Sequence, residues 1–135
     1  MAHHPADRPN VFPCFKYRDA PAAIEWLGRA FGFTPALVVP GKGGTVVHAE
    51  LRNGAGMIMC GSATLPDPAD PWSAAAFGIY VRVDDVDARH ARAVAAGAQV
   101  VRPPVDTDYG AREYSVRDLE GRLWSFGDYD PYAPR

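Results

Sequence analysis

The sequence predicts an α+β fold made of two tandem βαβββ modules. A strand–helix–strand–strand–strand order, indicated by apolar periodicity and turn residues, occurs twice. The two copies keep an offset of 66 residues (85 − 19), which relates the predicted helix caps Asp19 and Asp85 and also relates Gly61 to Gly127. A fixed internal offset is typical of repeated modules. With 13 glycines and 13 prolines in 135 residues, the chain is interrupted too often for a helical bundle.

The first module is predicted over residues 11–62. Val11–Tyr17 is rich in aromatic and β-favouring residues, which indicates a strand. Asp19 then caps a helix over Ala20–Phe31, in which Pro21 suits the first turn and Gly32 ends the pattern. Three short strands joined by a Gly-rich breaker and an Asn-Gly turn complete the module: Thr34–Val39, Thr45–Leu51 and Gly56–Cys60.

The second module is predicted over residues 76–128, after a Pro-rich linker at 63–75 whose prolines remove backbone donors. Residues 1–10 are expected to form an N-terminal arm and residues 129–135 a C-terminal tail. The elements of the second module follow the order of the first, with a loop over Pro103–Gly110: strand Phe77–Val83, helix Asp85–Ala96, and strands Gln99–Arg102, Ala111–Arg117 and Arg122–Phe126.

Composition excludes several classes of function. Fourteen basic and 16 acidic residues give a net charge of −2, so no basic surface for a nucleic acid is expected. No apolar run approaches the roughly 20 residues of a membrane span, and no secretory signal is evident. Cys14 and Cys60 have neither zinc-site nor redox spacing. We therefore expect a cytoplasmic protein with reduced thiols and no partner among membranes or nucleic acids.

Two segments carry a resemblance to a known family: Tyr17-Arg-Asp-Ala-Pro-Ala-Ala-Ile-Glu-Trp-Leu27 in the first module, and Tyr109–Tyr114 with Asp118-x-x-Gly-x-x-Trp124 in the second. With the repeated βαβββ order, the chain resembles the vicinal oxygen chelate superfamily of glyoxalases, bleomycin-resistance proteins and extradiol dioxygenases. The resemblance implies curved mixed sheets that enclose a cup-like cavity, which we expect to be completed in a homodimer.

The resemblance also implies four positions for metal ligands, two in each module, usually filled by His, Gln or Glu. In this sequence these positions are Phe12, Met59, Gly78 and Ser125. Phenylalanine and glycine offer no donor atom, methionine sulfur is soft, and a single serine hydroxyl is a weak ligand. We therefore expect no metal and no other cofactor.

His48 and Glu50 are the candidates for chemistry, because alternation along a strand points both to one sheet face. They could act as an acid–base pair with Glu50 orienting His48, or form a solvated pair or a dimer contact. The 66-residue offset equates His48 with Tyr114 and places Arg112 beside it, where a guanidinium could hold a carboxylate or phenolate. Either Arg112 or Tyr114 could instead have a purely structural role.

Strand alternation also predicts an apolar, polarizable lining for the cup, with room at Gly78 for a flat guest. The lining could also pack on itself as an ordinary core. Trp72 and Tyr109 lie in loops where they could cover the mouth or contact a partner subunit. The complete set of predicted ligand-binding residues is Phe12, Cys14, His48, Glu50, Met57, Met59, Tyr80, Arg112, Tyr114 and Ser125.

The function expected from these residues is metal-independent sequestration of a small hydrophobic or aromatic molecule, such as an antibiotic, as in bleomycin-resistance proteins. The alternative is an enzyme of the same superfamily, a lyase, isomerase or dioxygenase, that uses His48 and Glu50. A protein that serves only as a dimerisation scaffold is a third possibility.

Overall fold

A computed structural model describes residues 8–133 of the chain. Residues 1–7 of the predicted arm and residues 134–135 of the predicted tail lie outside the described range. The described residues divide into two compact units: a first unit of residues 12–77, and a second unit that combines residues 8–11 with residues 78–133. The boundaries predicted for the modules and for the linker at 63–75 stay predictions.

The first unit has one helix and a four-stranded mixed sheet. Strand β1 pairs in parallel with β4, while β3 pairs antiparallel with both β4 and β2, so the strand order is β2-β3-β4-β1. The elements lie where the sequence predicts them, within two residues at each end: β1 (Val11–Tyr17), α1 (Ala20–Phe31), β2 (Thr34–Pro40), β3 (Val46–Asn53) and β4 (Gly56–Ser62).

The second unit repeats this topology with the order β5-β8-β7-β6, in which β5 and β8 are parallel. One prediction was wrong: the segment from Pro103, expected to be a loop, continues β6. Prolines are tolerated there because β6 is the last strand of its unit and its pairing with β7 is irregular after Val100 and Arg102. The elements are β5 (Phe77–Arg82), α2 (Val86–Ala95), β6 (Gln99–Asp106), β7 (Arg112–Arg117) and β8 (Leu123–Gly127).

Both helices begin as the sequence predicts. The carboxylate of Asp19 accepts a hydrogen bond from the Ala22 backbone N–H at 3.1 Å, and Asp85 does the same for Ala88 at 3.1 Å. These bonds satisfy backbone donors that the first turn of a helix leaves unpaired. Gly32 ends α1 in the left-handed conformation (φ 80°), which glycine adopts without steric cost.

Each helix packs on one face of its own sheet. In the first unit Ala49, Leu51 and Cys60 join Leu27 of α1 in a buried apolar cluster. In the second unit Tyr114 and Val116 pack with Val83 and with Val86 of α2. Because side chains alternate across a strand, the neighbouring residues occupy the opposite face, which we call the helix-free face of each unit.

The α+β class, the two βαβββ modules and the mixed character of their sheets are thus confirmed. None of the helices within residues 8–133 combines the length and the apolar character needed to cross a bilayer.

Candidate functional site

The helix-free face of the first unit contains every ligand-binding residue predicted there. Cys14 lies beside Met59 in the parallel pairing of β1 and β4, and Glu50 lies opposite Met59 in the pairing of β3 and β4. The apolar members are almost completely buried, with Phe12 at 0%, Met57 at 5% and Met59 at 6% exposure. This face therefore consists of Phe12, Cys14, His48, Glu50, Met57 and Met59.

His48 and Glu50 form a hydrogen-bonded pair on this face. The His48 Nε2 lies 2.8 Å from Glu50 Oε2. The Glu50 side chain is fully buried, whereas about a third of the His48 side chain is exposed. A buried carboxylate that bonds one ring nitrogen fixes the orientation of the imidazole. The predicted geometry of the pair is present.

The predicted equivalence between His48 and Tyr114 is wrong. In β3 and β4, Arg52 pairs with Met57, whereas in β7 and β8 Arg117 pairs with Leu123. The turn between β7 and β8 is therefore one residue longer than the turn between β3 and β4. The offset of 66 residues holds for β4 and β8 but falls to 65 for β3 and β7, so that His48 corresponds to Glu113.

The altered register removes Arg112 and Tyr114 from the predicted lining. Tyr114 is 1% exposed in the helix-side cluster, where its ring stacks on Phe126 at 5.1 Å. Arg112 lies on the same side and forms ion pairs with Asp87 at 3.0 Å and Asp106 at 3.1 Å. Neither residue lies on a helix-free face.

Glu113 takes their place and is the residue that sequence reasoning missed. Its side chain is buried, and its two carboxylate oxygens accept hydrogen bonds from Tyr80 at 3.0 Å and from Tyr109 at 2.6 Å. A terminal nitrogen of Arg102 lies 3.5 Å from the same carboxylate. The sequence signal for Glu113 is the unequal length of the β3–β4 and β7–β8 turns.

The surroundings of this cluster keep both phenols protonated. Burial, followed by the negative charge and hydrogen bond of Glu113, raises the pKa of Tyr80 far above its usual range. The same causes raise the pKa of Tyr109. The two tyrosines are therefore hydrogen-bond donors at neutral pH.

Gly127 provides the space for this cluster. A Cβ at this position would overlap the Tyr80 hydroxyl and the Glu113 side chain. We expect Gly127→Ala to lower the free energy of unfolding by roughly 1–3 kcal/mol, because the added methyl forces these buried groups apart. Urea unfolding measures the effect, with Gly56→Ala as control, where the nearest atom lies at 3.5 Å. Equal losses in both variants would contradict the prediction.

The donor sets do not fit a divalent cation. Phe12 and Met59 in the first unit, and Gly78 in the second, offer no hard ligand. Ser125, the remaining position, is 1% exposed and its hydroxyl lies 2.6 Å from that of Ser115. Across residues 8–133 no three His, Cys, Asp or Glu side chains are grouped as ligands for a metal ion. No step is therefore assigned to a metal.

A cavity of about 310 Å³ lies within the second unit, at the end of its helix-free face. Tyr109, proposed from the sequence as a cover, lines this cavity while its hydroxyl bonds Glu113. Its lining residues are Arg82, Tyr109, Gly110, Ala111, Asp128, Tyr129, Asp130 and Ala133. Trp72 belongs to the first unit, and its role as a cover stays a prediction.

The Asp118-x-x-Gly-x-x-Trp124 motif has a clear structural basis. Asp118 accepts hydrogen bonds from the backbone of Glu120 and Arg122 and from the Trp124 indole at 3.1 Å. These bonds lower the pKa of Asp118. The motif closes the turn between β7 and β8 and anchors Trp124, so it is a fold element, not a ligand contact.

Two βαβββ units, each with one helix-covered and one helix-free sheet face, define a small duplicated α+β protein. The family model described as the Glyoxalase/Bleomycin resistance protein/Dioxygenase superfamily matches residues 15–126. The chain belongs to this superfamily, whose members bind small molecules.

Relatives and solved structures match most of the chain. An uncharacterized protein of Mycobacterium bovis is 34% identical over 127 residues, which cover 88% of this chain and 82% of the relative. A superfamily member from Vibrio splendidus has a TM-score of 0.69 at 14% identity and covers 87% of this chain and 96% of its own. Methylmalonyl-CoA epimerase from Streptomyces coelicolor has a TM-score of 0.64 at 19% identity, over 90% of this chain and 97% of its own. The two structural matches show the fold alone.

Proposed function

We propose that the protein binds a small hydrophobic or aromatic molecule, such as an antibiotic or another natural product, without a metal. The observation that carries this proposal is the apolar, sulfur-rich composition of the helix-free face of the first unit, where Phe12, Met57 and Met59 share the face with the His48–Glu50 pair. Aromatic rings and thioethers are polarizable and suit a flat guest. A guest that buries on the order of 200 Å² of apolar surface gains roughly 5 kcal/mol before the costs of association.

The polar groups of this face would orient the guest. The Glu50 carboxylate fixes the orientation of the His48 imidazole, which is the group of this face that would contact the guest. For the second unit, ligand contacts of Tyr80 and Ser125, which lie side by side on its helix-free face, stay a separate prediction. A few polar groups in an apolar lining are typical of small-molecule sites. We also propose that the protein is a homodimer and is located in the cytoplasm. Both cysteines are free thiols, which agrees with a cytoplasmic location.

We expect at least one member of a panel of aromatic antibiotics to bind below high micromolar concentration, as measured by calorimetry and tryptophan quenching. Met59→Lys would place a charge on the apolar face and should weaken binding by at least 100-fold, or about 2.7 kcal/mol. Leu119→Lys is the matched control, because Leu119 is 97% exposed. Met59→Ala removes only the side-chain contacts of Met59 and should weaken binding about tenfold. This variant replaces Met59→Lys in the test if the lysine variant does not fold.

The outcome that would contradict the proposal is a panel without any binder, or binding that both lysine variants leave unchanged. Light scattering of the same samples measures the oligomeric state.

A second candidate function is an enzyme of the superfamily, a lyase, isomerase or dioxygenase, and the 2.8 Å contact between His48 and Glu50 favours it. An imidazole held by a buried carboxylate can accept and return a proton. Mass spectrometry of the bound molecule separates the two functions. A sequestering protein returns the molecule unchanged, whereas an enzyme converts it and loses conversion in His48→Ala. Elemental analysis of untagged protein tests the metal-dependent form of this alternative.

A further inference from the structure

The Arg82 guanidinium is a buried cation with an unused hydrogen-bond donor. Arg82 is 5% exposed and lines the cavity of the second unit. Its Nη1 donates to the partly exposed Asp84 carboxylate. Within residues 8–133, its buried Nε has no hydrogen-bond partner. Buried donors are almost always satisfied in folded proteins, so this guanidinium calls for an acceptor that residues 8–133 do not supply.

The other lining groups determine the shape of a suitable guest. The rings of Tyr109 and Tyr129 lie edge to face, with centroids 5.9 Å apart. The remaining lining includes Gly110, Ala111 and Ala133, which leave space beside the rings. A volume of about 310 Å³ is at the lower limit of ligand pockets, which span roughly 300–1,000 Å³. These features favour one flat ring system of one or two fused rings.

The charges around the cavity decide what kind of acceptor the guest carries. Arg82 already has the carboxylate of Asp84 as its ion-pair partner. Asp128 accepts the backbone N–H of Arg112, and Asp130 lies 3.5 Å from Arg8. The two arginines and three aspartates around the cavity therefore sum to −1. A carboxylate would add a further negative charge, whereas a neutral carbonyl oxygen satisfies a guanidinium donor without one.

We infer that this cavity takes the carbonyl end of a neutral aromatic molecule, a ketone or a lactam, and that Arg82 is the residue that selects it. The inference rests on the proposed function, because it names the class of molecule that the protein binds. Within this cavity, Arg82 discriminates between guests with and without an acceptor.

Three naphthalene probes of similar size test the inference by calorimetry: 2-acetonaphthone, 2-ethylnaphthalene and 2-naphthoate. We expect the ketone to bind 10- to 100-fold more tightly than the ethyl compound, which is the range for a hydrogen bond from a charged donor. The carboxylate should bind more weakly than the ketone. In Arg82→Met the advantage of the ketone over the ethyl compound should disappear.

Arg122→Met is the matched control, because the Arg122 side chain is 71% exposed, and it should keep the advantage. If Arg82→Met does not fold, Arg82→Lys keeps the charge but loses the planar donor set, and should reduce the advantage at least threefold. The Arg82 Nε–H resonance in NMR spectra of the native protein should shift on addition of the ketone.

Three results would overturn the inference. Equal affinity for the ketone and the ethyl compound leaves aromatic binding intact but removes the role of Arg82. Tighter binding of 2-naphthoate shows an anion site. Failure of all three probes to bind at millimolar concentration shows that the cavity does not bind a naphthalene ring. In that case the antibiotic panel and the Met59→Lys variant decide separately whether the proposed function is correct.

Discussion

Glu113→Ala is expected to lower the free energy of unfolding by about 2–3 kcal/mol, because it leaves the buried phenol of Tyr80 without its charged acceptor and also removes the bond from Tyr109, which is 60% exposed. Glu113 is 4% exposed and accepts hydrogen bonds from Tyr80 and Tyr109, so no water replaces the carboxylate at Tyr80, which is itself 7% exposed. Urea unfolding monitored by circular dichroism measures the loss.

The matched control is Glu120→Ala, because the Glu120 side chain is 71% exposed and its loss should cost less than about 0.5 kcal/mol. In Tyr80→Phe the cost of Glu113→Ala should fall by about 1 kcal/mol or more, since one of the two donors is already absent. Similar losses for Glu113→Ala and Glu120→Ala would show that the cluster contributes nothing to stability.

The free energy of unfolding is expected to fall by about 4 kcal/mol between pH 8 and pH 11, with a slope of about 1.4 kcal/mol per pH unit for each buried group. Burial raises the pKa of the Cys60 thiol from 9.0 to about 11, although the charge of Lys16 opposes the shift. Burial and Glu113 raise the pKa of Tyr80 above its usual value of 10.0.

The direction follows from proton binding. A raised pKa means that the folded chain keeps its proton at a pH where the unfolded chain has lost it. The contribution of Cys60 is therefore complete below pH 9 and is lost between pH 9 and about 11, and that of Tyr80 begins to fall near pH 10. Cys60→Ala should move the onset from pH 9 to pH 10, and adding Tyr80→Phe should reduce the remaining slope, to which Tyr109 also contributes. A free energy of unfolding that is constant from pH 8 to pH 11 would contradict this prediction.

The elements of the fold could be predicted because their signals are local. Asp19 and Asp85 cap the helices that follow them, and Gly32 ends α1, all through contacts within a few residues. The extension of β6 beyond Pro103 was not predicted. Proline is tolerated in a strand that has no hydrogen-bonding partner on one side, and the sequence alone does not show which strand lies at the edge of its sheet.

The candidate site was predicted unevenly. In the first unit the turn at Asn53 and Gly54 is short, so alternation along β3 and β4 placed His48, Glu50 and Met59 on one face correctly. In the second unit a turn one residue longer shifted β7 against β8 and exchanged Tyr114 for Glu113. A shift of one residue moves every side chain of a strand to the other face.

The sequence by itself determined the two βαβββ modules, their helix caps and the absence of hard ligands at Phe12, Met59 and Gly78, because these depend on residue identity and on neighbours along the chain. Only the tertiary structure decided that Glu113 accepts from Tyr80 across 33 residues, and that Arg82 is buried with an unused donor. The physical reason is that strand register and burial depend on which distant segments of the chain pair. The hydrogen bonds of a buried group depend in turn on the register of its strand and on its burial.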